Sequence, residues 1–353
     1  MGGSQTRCTV TGMPKFIEGL ANVNRQTNRR EFIDLTGKLF LAGLTSGGVG
    51  SMLGCGDGPP PPPPPPPPAS PCMPSAMVPQ ALLSCRNWIS FSPPSPFNPN
   101  QNIFPDDGQL NAALTRLFQA GWRGLVTFSL DGTLGDVPRI AKQVGFSEVI
   151  AGLFWFDEAQ LAREKAAAIA AVQFIDGFVL GNEGLQFGRY TRQRLETEIA
   201  SLRASTGRPA TTNEPFNQYQ SDPTLLNVGD WAFPNIHPWL QGIRSVPEAV
   251  SFVQTTYQNL QSLTPSRTIV VKESWWPTAV DPPANEPAAT ESNQTAFFKE
   301  LAATKITFVW GEAYDQFWKT AEGSQGPHWG FHKSDMTAKD IISALQSVYI
   351  GSY

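Results

Sequence analysis

From about Asn87 onward the chain alternates short, β-rich apolar runs with longer amphipathic stretches, and eight such pairs follow one another. The β-rich runs are 88–92, 124–130, 148–155, 177–182, 210–213, 231–236, 268–273 and 306–310. Most are nearly continuous in apolar residues, the pattern of parallel strands covered on both faces. The stretches 109–120, 158–172, 191–205, 246–263, 292–303 and 337–348 read as helices. Their apolar residues recur at three and four, as in Leu110, Leu114, Leu117 and Phe118. A short fifth helix is expected after Ser221-Asp222-Pro223. Eight βα units in about 265 residues predict an α/β fold, a single (β/α)8 TIM barrel spanning 85–353. A doubly wound sheet would use fewer strands and a Gly-rich phosphate turn, and no such turn follows any of these runs.

Composition narrows the function classes. Lys and Arg number 26 against 30 Asp and Glu, a net charge of −4 that leaves no basic surplus for a nucleic acid. With 41% hydrophobic and 16% charged residues the chain can bury a sizeable core. Ten tryptophans are many for a core alone and point to flat stacking surfaces for sugars or apolar ligands. The three histidines and the cysteine spacing contain no zinc pattern, and no cofactor is implied.

The N-terminal residues read as targeting and tether. Asn28-Arg29-Arg30-Glu31-Phe32-Ile33 precedes an apolar stretch diluted by Lys38 and several glycines, the shape of a twin-arginine export signal and a poor membrane span. Met52-Leu53-Gly54-Cys55 resembles a lipobox, with Cys55 as the lipidated residue. Residues 1–55 are thus expected to be the signal, and 56–84 a proline-rich tether whose run from Pro59 to Pro68 adopts polyproline II. The expected location is membrane-anchored, facing the periplasm or cell surface, with Gly56 after Cys55 favouring the outer membrane. Cys72 and Cys85 remain for a disulfide at the base of the barrel domain. The barrel itself is expected to be monomeric.

In a TIM barrel the active site lies at the C-terminal ends of the strands. Gly181-Asn182-Glu183 ends the fourth run and Lys272-Glu273 ends the seventh, followed by Ser274-Trp275-Trp276-Pro277, which places two glutamates across one mouth. A lone strand-end glutamate is as often a solvated or ion-paired residue, but two at these positions, one beside an amide, point to sugar chemistry. Glu214 is a third strand-end carboxylate and the rival to Glu273. By strand alternation Lys272 should point away from Glu273. His237 ends the sixth run and is read as a substrate contact. Trp155, Trp239, Trp275, Trp276 and Trp318 fall on strand-end loops, where indole faces stack on glucose rings, and about three are expected to do so.

These motifs resemble glycoside hydrolase family 17, the β-1,3-glucanase family, over about residues 88–340. Gly181-Asn182-Glu183 is similar to its acid/base segment, and Glu273-Ser274-Trp275-Trp276-Pro277 to its nucleophile segment, usually Glu-Thr-Gly-Trp-Pro. Asn235-Ile236-His237-Pro238 looks like its sixth strand end. Glu312-Ala313-Tyr314-Asp315 with Trp318-Lys319, then His328-Trp329-Gly330-Phe331, is similar to its last strand and following loop. The chain departs at Ser274, Trp275 and Trp310-Gly311. The resemblance implies an exported retaining β-1,3-glucan hydrolase, or a glucanosyltransferase with the same residues, or a glucan-binding lipoprotein that has lost catalysis. Glu183 would be general acid/base and Glu273 nucleophile, about 5–5.5 Å apart. Asn182, His237, Trp155, Trp275, Trp276, Tyr314 and Trp318 are read as glucan contacts, and Glu312 either as holding Glu273 or a substrate hydroxyl or as a structural ion pair.

Overall fold

The computed structural model describes residues 87–281 and 286–345, so the expected signal, Cys55, the tether and the Cys72–Cys85 pairing lie outside the described residues. Five strands form a parallel sheet in sequence order: β1 (Trp88–Phe91), β2 (Gly124–Thr127), β3 (Glu148–Leu153), β4 (Gly177–Asn182) and β5 (Ala210–Asn213). The remaining three runs complete the ring as single parallel bridges. Pro215 pairs with Asn235, Ala232 with Ile269, Asn235 with Glu273, Val271 with Phe308, and Trp310 with Ile89 of β1. Backbone bonds run along them, among them Val270 N–H to Ala232 O at 3.0 Å, Val309 N–H to Val271 O at 2.9 Å and Ser90 N–H to Trp310 O at 2.8 Å. The barrel is therefore closed, with a regular half and a sparsely bridged half. Pro234, which has no N–H to give, sits in the sixth run.

Helices follow the strands: α1 (Asp107–Gln119), α2 (Val137–Val144), α3 (Glu158–Ala170), α4 (Arg192–Thr206), α5 (Phe216–Ser221), α6 (Val246–Leu263), α7 (Glu291–Ala303) and α8 (Asp340–Leu345). Side-chain caps set several starts. Asp106 and Gln109 exchange bonds of 2.8 and 2.9 Å in a capping box, which opens α1 two residues before the expected position. Asp157, Thr191 and Thr290 cap α3, α4 and α7, each worth about 1 kcal/mol. The short fifth helix precedes Asp222-Pro223 instead of following it. Pro223 starts a separate 3-10 turn, and Asp222 Oδ1 accepts from Thr224 N–H at 3.1 Å. Helix α2 has no counterpart among the expected ranges. The last helix begins at Asp340 instead of 337, because 332–338 folds back in an antiparallel bridge between His332 and Ala338.

The barrel interior is filled by Trp88, Val126, Ile150, Val179, Trp231, Phe233, Val270 and Val309, drawn from seven of the eight staves. Two larger apolar clusters lie between strands and helices, one under α1, α2, α6, α7 and α8 and the other under α3, α4 and α5. With its interior packed by these side chains, the barrel carries a large opening at the C-terminal mouth.

Candidate active site

A cavity of about 590 Å³ occupies that mouth. Loops after every stave except the fifth line it, with Glu183 and Glu273 both on its wall. The chain turns sharply to present Glu183: Gly181 has φ +76°, and a Cβ there would collide with the Tyr190 hydroxyl. Glu183 itself has φ +55°, a left-handed conformation that costs a non-glycine residue about 1–2 kcal/mol. Tertiary bonds hold it there. Its N–H reaches Asn213 O at 2.9 Å, and Asn235 Nδ2 donates to its Oε1 at 2.8 Å.

Below this turn lies Glu214, fully buried and absent from the cavity wall. It accepts from the backbone N–H groups of Leu185 at 2.9 Å and Gln186 at 3.3 Å, and from Tyr190 Oη at 3.4 Å. Burial pushes its pKa up to about 8, so it is a mostly neutral acid at pH 7 that braces the Glu183 loop. That geometry removes it as a rival to Glu273.

Glu273 is 6% exposed and stands between two nitrogen donors. Lys272 Nζ donates to Oε1 at 2.5 Å, and His237 Nε2 lies 3.3 Å from Oε2. The expectation that Lys272 points away from Glu273 is corrected by this bond. Alternation holds in the barrel, with Val270 inside and Val271 outside, and Lys272 follows Val270 inward. At the top layer, however, its long side chain curls back to the adjacent carboxylate and also reaches Asn182 Oδ1 at 3.1 Å.

The two carboxyl groups are pushed in opposite directions. Burial, then repulsion from Glu273, raises Glu183 above the ordinary glutamate value, outweighing its bond from Asn235. For Glu273 burial also acts upward, but the Lys272 charge and the His237 bond prevail and hold it at about 2. At neutral pH one group is biased toward the acid and the other is a carboxylate, which is the division of labour that acid-assisted displacement at a glycosidic carbon requires.

The aromatic residues sort differently from the sequence reading. Trp239, Trp275 and Trp318 line the cavity, together with Trp329 and seven phenylalanines. Trp155, Trp276 and Tyr314 do not, and as core residues they cannot meet a ligand. Trp155 is stacked on Tyr190 at 4.1 Å. Trp276 is fully buried between Trp239 and Phe297, with Nε1 bonded to Ala288 O at 2.8 Å. Tyr314 Oη bonds Ala113 O at 2.7 Å, tying the last stave to α1. Glu312 is likewise off the wall: it is fully buried and accepts from Lys319 Nζ at 3.0 and 3.1 Å. Lys319 is the cavity-facing partner, lying 5.2 Å above the Trp275 ring. His237 lines the cavity with its edge toward Trp275, ring centroids 5.3 Å apart. Asn182 lines it too. The sequence reading gave no role to Asn235, although it stands in the Asn-Ile-His-Pro motif. Among the described residues no group of three or more His, Cys, Asp or Glu is arranged to hold a metal ion.

An eight-stave barrel with two carboxyl groups shifted in opposite directions across an aromatic mouth defines a protein of the TIM-barrel glycosidase class. Residues 91–330 match the BtgE/BtgC glycoside hydrolase domain, and the chain belongs to that family. Among curated relatives, the probable beta-glucosidase btgE of Aspergillus fumigatus is 26% identical over 227 residues, 61% of this chain and 40% of that protein. The glucan 1,3-beta-glucosidase of Schizosaccharomyces pombe is 24% identical over 225 residues, 58% of this chain and 70% of that one. The chain thus spans well under two thirds of the length of the Aspergillus relatives. The fold is shared with the glycoside hydrolase family 17 β-1,3-glucanosyltransferase of Rhizomucor miehei, with a TM-score of 0.61 and 18% identity over 73% of this chain and 97% of that one. It is also shared with an endo-laminarinase from Formosa Hel1_33_131, with a TM-score of 0.57 and 15% identity over 75% and 89%. The resemblance to family 17 and the barrel fold are both borne out.

Proposed function

We propose that the chain is a retaining glycoside hydrolase acting on β-1,3-glucan, with Glu183 as general acid/base and Glu273 as nucleophile. The observation that carries the reading is the pair of opposed carboxyl groups on one cavity wall, one raised and one held at about 2. Protonated Glu183 gives its proton to the departing glycosidic oxygen while a Glu273 oxygen attacks the anomeric carbon. The products of that step are a glycosyl ester on Glu273 and a free sugar hydroxyl. Glu183, now a carboxylate, takes a proton from water, whose oxygen attacks the same carbon and releases Glu273. If the incoming hydroxyl belongs to another glucan, the same chemistry makes a glucanosyltransferase. Asn182 bonds the sugar 2-OH, a contact that strengthens at the transition state. Trp318, partly exposed on the cavity wall, offers a ring face to a glucose unit, with Trp239 and Trp275 packed into the wall beside it.

The β-1,3 linkage in this reading is supported by relatives: one is named a glucan 1,3-beta-glucosidase, and the Rhizomucor enzyme was also solved as an active-site mutant with laminaritriose. Export through the twin-arginine-type signal and a lipid on Cys55 remain part of the proposal, supported by sequence motifs alone. The test is incubation of the full chain with a β-1,3-gluco-oligosaccharide series, followed by product chromatography and anomeric NMR. Shorter products of β configuration are expected, and longer ones if transfer dominates. Inverted products, or tight binding without turnover, would overturn the assignment.

A further inference from the structure

The chemistry above gives Lys272 no task beyond keeping Glu273 ionised, although the chain buries its ammonium, 1% exposed, directly against Glu273 and Asn182. A buried cation is expensive, and one that merely filled space would be better replaced by an apolar side chain. Its three neighbours are specific: Glu273 Oε1 at 2.5 Å, Asn182 Oδ1 at 3.1 Å, and the Phe128 ring with its centroid 4.1 Å away. An ammonium has donors only. The amide face of Asn182 turned toward it must therefore be the oxygen, which leaves Nδ2 as the face available to a sugar hydroxyl.

We propose that Lys272 is a positioning residue that binds Glu273 and Asn182 as one unit, favouring release of the glycosyl-enzyme over its formation and locking the Asn182 amide with its NH2 toward the substrate. The inference rests on the retaining mechanism proposed above. Its physical basis is that a cation on a carboxylate lowers basicity, so the group attacks carbon less readily and departs from it more readily. In the glycosyl ester the Lys272 bond falls on an oxygen that regains negative charge as the C–O bond breaks, and preorganised donors act most strongly on such charge. The other titratable groups around Glu273 are Glu183 just after β4, His237 after the sixth stave, and Glu312, Lys319 and Glu322 after the eighth. Of these only His237 touches it, and through Oε2 rather than Oε1.

The test uses the full chain with Lys272→Met and Lys272→Arg. In K272M the acid limb of the pH–activity profile is expected to move up by about one unit or more, and K272R to restore most of it. With an activated aryl glycoside, kcat and KM of K272M are expected to fall together by about 10-fold while kcat/KM changes little. A burst of released aryl alcohol should show the ester accumulating. A structural role alone would lower kcat/KM with kcat and leave the limb in place, and that result overturns the proposal. A carboxyl-carbon NMR titration of Glu273, assigned with E273Q, reads the coupling without turnover. A shifted titration in K272M with no glucan activity in the parent chain would retain the coupling and reject the enzymatic reading. An unshifted titration rejects the positioning role even in an active enzyme. Should K272M fail to fold, K272R decides: the longer, forked cation must keep the acid limb within about half a unit, and a larger displacement counts against the proposal.

Discussion

Glu183 and Glu273 are the same side chain at the ends of two staves of one barrel, yet their surroundings differ in kind. Glu183 receives a neutral amide bond from Asn235 and sits on a strained, left-handed backbone. Glu273 is clasped by an ammonium and an imidazole on a backbone that continues a stave. Neutral donors leave burial and charge repulsion in command, so Glu183 is driven toward its protonated form. A cation reverses that outcome at nearly the same depth. The lesson is that a charged partner, rather than burial, decides which carboxyl group is biased toward its protonated form and which stays ionised.

The comparison breaks most visibly under amide substitution. Under the proposed mechanism Glu273→Gln is expected to cost about 10^4-fold in kcat on every substrate, because it removes the proposed nucleophile. Glu183→Gln should cost about 10^2 to 10^4-fold on glucan but much less in the first step on aryl glycosides, whose leaving group needs no proton. Steady-state and pre-steady-state kinetics on both substrate types check this; equal losses on aryl substrates would deny the two residues their separate roles.

Stability sharpens the contrast with opposite signs. Glu273 has its folded pKa depressed from 4.5 to about 2, so its contribution is fully present above about pH 4.5 and is lost as pH falls toward 2. Glu273→Gln also strands the Lys272 charge and should destabilise by about 3 kcal/mol at pH 7, a cost that shrinks in acid. Glu183 is raised, so its ionisation opposes folding as pH climbs above the ordinary glutamate value. Glu183→Gln should therefore stabilise the fold at pH 7 and lose that advantage as pH falls below the ordinary glutamate value. Denaturant melts across this pH range measure both.

A smaller pair of effects separates tryptophans that look alike in sequence. Trp276→Ala should destabilise by about 3–5 kcal/mol through a core cavity. Trp318→Ala should leave stability within about 1 kcal/mol and raise KM several-fold, a split readable from thermal melts and saturation curves.

Much of the architecture is legible without coordinates. The eight apolar runs mark the staves, α6 spans the expected 246–263, and β4 and β5 match their expected ranges. Alternation of strand and helix is a local, periodic signal, and burial on both faces writes it into every run. Asn182 and Glu183 at one strand end, and Glu273 at another, could be singled out because a barrel places strand ends at its mouth. What lay beyond reach was anything requiring side chains distant in sequence to meet.

Sequence by itself therefore determined the barrel, the position of its mouth and the two carboxyl groups facing across it. Only the tertiary structure decided that Trp155, Trp276 and Tyr314 lie away from the cavity while Trp239 and Trp275 are packed into its wall and Trp318 is partly exposed on it. Only it turned Glu214 into a brace beneath the Glu183 loop, paired Glu312 with Lys319, and returned Lys272 to Glu273. The reason is physical. Strand and helix periodicity arise from bonds between near neighbours, whereas exposure and protonation depend on charges and contacts 50 to 90 residues apart, such as Asn235 on Glu183 and Lys272 on Asn182.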